Sequence, residues 1–292
     1  MKQALFYTKK ENKKVQCNLC PHLCKLNDKQ TGICGVRKNI NGILYSLSYN
    51  HPIAINIDPI EKKPLYNFMP NTKTFSIGMV GCNFRCLNCQ NWDLSQRKAE
   101  EFKTKEITPE QIIKMTKDSK CPSISYTYSE PGVSIEYVLD TAKLAKKNKI
   151  KNVVVSNGYI NQEPLKEIIK YIDAFNIDLK SINDDFYKKV CSGKLKPVLE
   201  TLKTIKKYKK HLEITFLVIP TKNDNLKEIE KMCIWIKNNL GKDTPLHISR
   251  FFPYYKLSNL EPTPVETLLK ARKIAEKYLK YVHIGNVPVN LE

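Results

Sequence analysis

The sequence predicts an α/β protein in which an incomplete parallel barrel of (β/α)6 type, a partial TIM barrel, follows a small N-terminal module built on four cysteines. Three observations carry this expectation. From Thr74 onward, short apolar runs alternate with amphipathic stretches, as parallel strands joined by helices require. Six or seven such units occupy roughly 210 residues, short of the ~250 of a closed eight-unit barrel. Upstream, Cys17, Cys20, Cys24 and Cys34 fall in one short stretch punctuated by Gly32 and Gly35. The division is therefore residues 1–70 for the metal-binding module and 71–292 for the barrel, a length ample for a sizeable core.

The four N-terminal cysteines are spaced Cys-x2-Cys-x3-Cys-x9-Cys, which describes a closed thiolate site, either tetrahedral zinc or an accessory iron-sulfur cluster. One isolated set without a ferredoxin-like repeat favours structural zinc. His22 reads as a turn residue beside the set. Gly42–Tyr49 alternates as a strand, and Ile57–Tyr66 is proline-broken, hence a loop or edge segment. Seven strands are expected at Phe75–Val80, Ser123–Tyr128, Val153–Ser156, Ala174–Leu179, Leu212–Ile219, Leu246–Arg250 and Tyr281–Ile284. Apolar residues at helical spacing, such as Ile229, Met232, Cys233 and Ile236, mark the faces that pack on the sheet. Thr108-Pro109-Glu110-Gln111 and Thr263-Pro264-Val265-Glu266 each put threonine at a cap and proline at the first helical position. Cys121, Cys191 and Cys233 read mainly as structural.

Lysine and arginine (49) exceed aspartate and glutamate (29), giving a net charge of +20. The lysines are spread over the expected helices, which favours a solvated surface over a nucleic-acid site. No run approaches the ~18 apolar residues of a membrane span, and Met1–Lys9 lacks the apolar core of a signal peptide. A cytoplasmic protein with reduced thiols is expected.

Cys82, Cys86 and Cys89 follow the first barrel strand in Gly81-Cys82-Asn83-Phe84-Arg85-Cys86-Leu87-Asn88-Cys89. Three thiolates so close point to a metal centre. A cubane cluster ordinarily takes four cysteines, so three would leave one iron open for chemistry. The alternatives are a zinc site with its fourth ligand elsewhere, or buried structural cysteines. In parallel barrels catalytic groups gather at the carboxyl ends of strands, which draws attention to Glu130, Ser156, Asn157, Asp178 and Lys180. His247 and Arg250 close the sixth strand and are candidates for substrate contacts, arginine through its bidentate fork. Val218 and Ile219 are apolar enough to face an adenine.

Cys-x3-Cys-x2-Cys resembles the signature of the radical S-adenosylmethionine (SAM) superfamily. The resemblance implies a [4Fe-4S] cluster on Cys82, Cys86 and Cys89, whose open iron is chelated by SAM. Reductive cleavage then yields a 5′-deoxyadenosyl radical that abstracts hydrogen from substrate. It also implies that Glu130 receives the SAM amino group, that Ser156 and Asn157 contact the ribose, and that Asp178 and Lys180 help hold SAM. A flavodoxin or ferredoxin is the implied electron donor. Further motifs are Cys-Pro-His-x2-Cys, Gly-Ile-Cys-Gly-Val-Arg, Asp-Pro-Ile-Glu-Lys-Lys-Pro-Leu-Tyr, Cys-Gln-Asn-Trp, Asn-Ile-Asp-Leu-Lys and His-Ile-Gly-Asn-Val-Pro. Together they make nearly the whole chain similar to the radical SAM enzyme of the AmmeMemoRadiSam system, whose members resemble pyruvate formate-lyase activating enzymes. Partner proteins of that system are implied with it. Asn88 departs from the commonly aromatic residue before the last cysteine, with Trp92 as a substitute adenine contact. The resemblance also leads one to expect a further cysteine-bearing segment after Pro288, and Asn290-Leu291-Glu292 reads either as native sequence or as the trace of a cloning junction.

The leading expectation is thus a radical SAM enzyme of that system. A glycyl-radical enzyme activase would share the same SAM residues. A basic, metal-binding adaptor for RNA or protein, without catalysis, is the alternative of another class, and Glu130, Asn157 and Asp178 argue against it.

Overall fold

The structure, a computed structural model, describes residues 1–288; the reading of Asn290–Glu292 lies outside them. The N-terminal strands are β1 (Lys2–Gln3), β2 (Tyr7–Lys9), β3 (Val15–Cys17), β4 (Lys25–Leu26), β5 (Arg37–Ile40) and β6 (Ile43–Ser46). They pair as two antiparallel sheets, ordered β1-β6-β5 and β2-β3-β4. The main sheet comprises β7 (Ala54–Pro59), β8 (Lys73–Gly78), β9 (Ser123–Tyr126), β10 (Lys151–Ser156), β11 (Ala174–Asp178), β12 (His211–Val218), β13 (Leu246–Arg250) and β14 (Val282–Gly285). Strands β8 to β14 are parallel neighbours in chain order, and β7 adds antiparallel to β8 at the edge. All seven strands expected in the barrel are present, shifted by at most a few residues. The sheet starts at Ala54, upstream of the boundary at residue 70, because the segment read as proline-broken pairs with β8 up to Pro59, an edge position where proline is tolerated.

The helices are α1 (Trp92–Ser95), α2 (Pro109–Asp118), α3 (Ile135–Lys147), α4 (Gln162–Ile168), α5 (Asp184–Phe186), α6 (Leu195–Lys207), α7 (Leu226–Leu240) and α8 (Val265–Ala275). Their apolar faces meet the outer face of the sheet in one large core that includes Cys121, Phe175, Ile177, Val218, Ile219 and Cys233. The expected capping box at α2 forms, with Thr108 Oγ1 accepting from the Gln111 amide and Gln111 Oε1 from the Thr108 amide. Thr263 does not cap α8. Its hydroxyl is fully buried, donates to the Val218 carbonyl at 2.6 Å and accepts from the Phe251 amide, so it ties the ends of β12 and β13 together. Among the described residues no helix is long and apolar enough to cross a membrane.

The inner face has its own filling. Ile60 and Leu65 pack on Val153 and Ala174, and the Asn176 amide donates to the Pro64 carbonyl at 2.7 Å. The segment around Pro64–Phe68 therefore plugs the amino-terminal end of the barrel. There the buried Glu213 carboxylate accepts from the amides of Tyr66 and Asn67 and is paired with His211 and His247. The opposite end, where the strands finish, stays open as a cleft.

The module is held to the barrel by a buried ion pair. Arg37 Nη1 lies 2.8 Å from Glu136 Oε1 on α3, and both side chains are almost fully excluded from solvent. Arg37 also donates to the Leu5 carbonyl, and Glu136 accepts from the Leu5 amide.

Candidate active site

One cleft at the carboxyl ends of the strands encloses about 1430 Å³ of empty space, partly open to solvent. It is lined by Cys82, Cys86 and Cys89 together with Glu130, Ser156, Asn157, Asp178 and Lys180. Residues from four strand ends, spread over some hundred positions of sequence, thus share one cavity.

The loop after β8 is fixed by contacts that its sequence could not announce. Gly81 has a φ of +96°, and a Cβ there would lie 2.5 Å from the Cys34 carbonyl oxygen, so only glycine lets the module approach this closely. Arg85 donates to the carbonyls of Cys82 and Ile33, and Ser95 Oγ lies 3.0 Å from Cys89 Sγ. The Arg85 and Leu87 amides donate to the carbonyls of Cys191 and Val190 at 2.9 Å each. Those two residues end a π-helical turn, Tyr187–Cys191, a feature frequent at functional sites. Cys191 is thereby brought, fully buried, into hydrogen-bond contact with Cys86.

Glu130 is buried and takes three donors: the Gly132 amide (2.9 Å) and Ser156 hydroxyl (2.8 Å) at Oε1, and the Asn157 amide (2.8 Å) at Oε2. Burial raises its pKa against the lowering effect of these bonds. A carboxylate offers about four lone-pair sites, so one remains on the Oε2 side. Asn157 extends its amide to Asn83 Oδ1 at 2.9 Å and lies 3.6 Å from Cys82 Sγ. Lys180 pairs with Asp178 at 2.7 Å; burial opposes its charge, but Asp178, Cys86 and Cys191 together raise its pKa well above the ordinary value. Burial also raises the Cys82 and Cys89 thiols, whereas the Cys191 hydrogen bond, and then Lys180, lower Cys86.

Other candidates lie elsewhere. His247 is buried at the plugged end of the barrel, 2.6 Å from Glu213 and stacked on His283, because it occupies the second position of β13 rather than its end. Arg250 donates to the Thr263 carbonyl and covers the Phe252 ring. Neither lines the cleft. Trp92 stacks on Tyr255 with centroids 5.4 Å apart, and Val218 and Ile219 point into the helix-side core, leaving Leu217 on the cleft. Sequence reasoning missed Lys63, buried on the cleft wall, which pairs with Asp58 at 2.7 Å and covers the Tyr128 ring. It sits inside the Asp58–Tyr66 motif, but nothing local revealed the cross-barrel partner Tyr128.

The cleft fits a multi-iron group with an attached amino acid nucleotide. Its thiols border a shared space, and among the described residues no three His, Cys, Asp or Glu side chains converge on a single ion. A cluster takes its thiolates at separate irons and so needs no such convergence. The buried Asn88 Oδ1, on the cleft wall, has no partner and is an acceptor awaiting a ligand donor.

A partial parallel barrel with a polar, thiol-bearing cleft at its strand ends defines an enzyme class. The Radical SAM superfamily model matches residues 76–235. An uncharacterized protein of Methanocaldococcus jannaschii is 48% identical over 289 residues, spanning 99% of this chain and 86% of that protein. The pyruvate formate-lyase-activating enzyme of Clostridium pasteurianum is 27% identical over 219 residues, covering 68% of this chain and 87% of its own. In fold, a radical SAM methyltransferase from Sphaerobacter thermophilus superposes with a TM-score of 0.57 at 11% identity, over 76% of this chain and 69% of that one. The chain belongs to the radical SAM superfamily and is an enzyme that uses SAM. Membership implies a [4Fe-4S] cluster as its resident cofactor.

Proposed function

We propose that Cys82, Cys86 and Cys89 hold the [4Fe-4S] cluster, that SAM occupies the adjoining cleft, and that the enzyme abstracts hydrogen from its substrate as the radical SAM member of an AmmeMemoRadiSam system. The observation that carries this reading is the convergence of the three thiols with Glu130, Ser156, Asn157, Asp178 and Lys180 in one cavity. Support for the system comes from the motifs that run through nearly the whole chain.

When bound, the cluster supplies one electron to the SAM sulfonium, giving methionine and a 5′-deoxyadenosyl radical. The protein's own contribution is placement. Glu130 accepts the SAM ammonium at its remaining lone pair, a charge-assisted bond in a buried setting. Ser156 and Asn157, already drawn together on the Glu130 carboxylate, present hydroxyl and amide groups to the ribose. Lys180 and Asp178, paired to each other, fix the local charge beside Cys86. Asn88 offers its free carbonyl oxygen to an adenine amino group. A one-electron donor of flavodoxin or ferredoxin type is expected. Hydrogen abstraction is tested by incubating the reconstituted protein with SAM, dithionite and deuterated candidate substrates and looking for deuterium in 5′-deoxyadenosine.

The second reading, activation of a glycyl-radical enzyme, is favoured by the similarity to the clostridial activating enzyme. It requires a partner protein whose backbone glycine reaches the cleft.

A further inference from the structure

The four N-terminal cysteines stand outside the cleft and take no part in the function proposed above. Cys17, Cys20, Cys24 and Cys34 border one small enclosed cavity, with Leu19, Ile33 and Val133 supplying apolar wall. Backbone amides turn toward these thiols: that of His22 donates to Cys20, that of Ile33 to Cys24, and those of Val36 and Arg37 to Cys34. Amide donors to sulfur stabilise negative charge on the sulfur, as metal-bound thiolates need. The buried guanidinium of Arg37 lies on the same cavity. With nothing bound, burial pushes Cys20 up to about 12 and Cys34 to about 11, so the pocket is built for thiolates that only a metal centre would create.

The geometry bears on which centre. A tetrahedral zinc draws four sulfurs to about 2.3 Å from one point. Among the described residues no three such donors converge in that way. The thiols instead surround a cavity, as the corners of a cubane demand. We propose that Cys17, Cys20, Cys24 and Cys34 bind a second [4Fe-4S] cluster, fully ligated by protein, in place of the zinc that their spacing alone favoured.

The site abuts the cleft. Asn83 borders the four-thiol cavity and hydrogen-bonds Asn157, which reaches Cys82. His22, on the same cavity, contacts the Asn83 carbonyl at 2.8 Å. Two asparagine side chains therefore bridge the thiol sets.

The test uses the full-length protein, reconstituted anaerobically with iron and sulfide in the presence of zinc, with circular dichroism to confirm folding. Wild type should hold about eight irons and eight sulfides, and the Cys82→Ala/Cys86→Ala/Cys89→Ala variant about four of each, with an electron paramagnetic resonance signal after dithionite. A folded triple variant holding one zinc, or no metal, with only about four irons in wild type overturns the proposal. If the triple variant misfolds, the Cys17→Ser/Cys24→Ser variant decides: a fall from about eight irons to four supports the second cluster, and an unchanged iron content refutes it. Should the triple variant keep all the iron that wild type holds, the second cluster stands and the cleft assignment of Cys82, Cys86 and Cys89 fails instead.

Discussion

Glu130→Gln separates ligand recognition from architecture if its two consequences are measured together. The carboxylate accepts three hydrogen bonds, and glutamine has one carbonyl oxygen. The better amide orientation keeps that oxygen on Gly132 and Ser156 and turns the NH2 toward the Asn157 amide. One bond to a charged group is then lost and a buried donor is left facing a donor, at a cost of ~1.5–3 kcal/mol. At roughly 2–4 °C per kcal/mol for a chain approaching this size, melting should fall by about 3–12 °C even without ligand. The same NH2 now occupies the side on which the SAM ammonium is proposed to bind. Losing that charge-assisted bond corresponds to roughly 10- to 150-fold weaker SAM binding. Because the mutation also loosens the cleft, affinity alone does not identify the contact. Equilibrium binding of SAM and of its desamino analogue to both proteins closes a double-mutant cycle. Removing the amino group should cost wild type about as much as the mutation does, and should cost Glu130→Gln little. An equal penalty for the missing amino group in both proteins would show that Glu130 is only a structural latch.

Four further outcomes follow from the same coordinates. Cys86→Ala should remove the cluster of the cleft while far-ultraviolet circular dichroism stays that of wild type, because the helix-sheet core extends well beyond the thiol loop. Cys191→Ala should make that cluster's reduction potential more negative, since a hydrogen bond to the Cys86 sulfur is lost, and redox-poised spectroscopy reads the shift. Arg37→Met leaves Glu136 charged and buried and should destabilise by ~3–5 kcal/mol in denaturant unfolding, with Arg37→Met/Glu136→Gln recovering part of the loss. Acid should act in two stages. Burial, aided by His247, lowers His283 to about 4 from 6.5, so the unfolded chain takes up that proton first and stability falls as pH drops from 6.5 to 4. Glu213 is brought to about 2, its hydrogen bonds from His211 and His247 outweighing burial, and its contribution is lost from about 4.5 downward. Melting temperature against pH should show both stages, and His283→Gln should flatten only the first.

The alternation of apolar runs and amphipathic helices made the parallel sheet legible, because each strand's neighbours are also its neighbours in sequence. The residues closing β9, β10 and β11 were legible for the same reason: strand ends in a parallel barrel meet at one rim. What escaped was whatever depended on distant partners. Cys191 looked structural until the π-helical turn set it against Cys86, and Lys63 gained its place through Asp58 and Tyr128. His247 and Arg250 were drawn in by position near a strand end, whereas Glu213 and Thr263 claim them for the architecture. Thr263 itself carried a cap pattern but serves as a strand tie.

The central claim is that the cleft cleaves SAM reductively, and 5′-deoxyadenosine is its direct product. Protein loaded anaerobically with iron and sulfide, reduced with dithionite and given SAM should form 5′-deoxyadenosine, detected by liquid chromatography and mass spectrometry, and the Cys82→Ala, Cys86→Ala and Cys89→Ala variants should form none. A fully loaded wild-type protein that yields no 5′-deoxyadenosine, or a cysteine variant that yields as much as wild type, would contradict it.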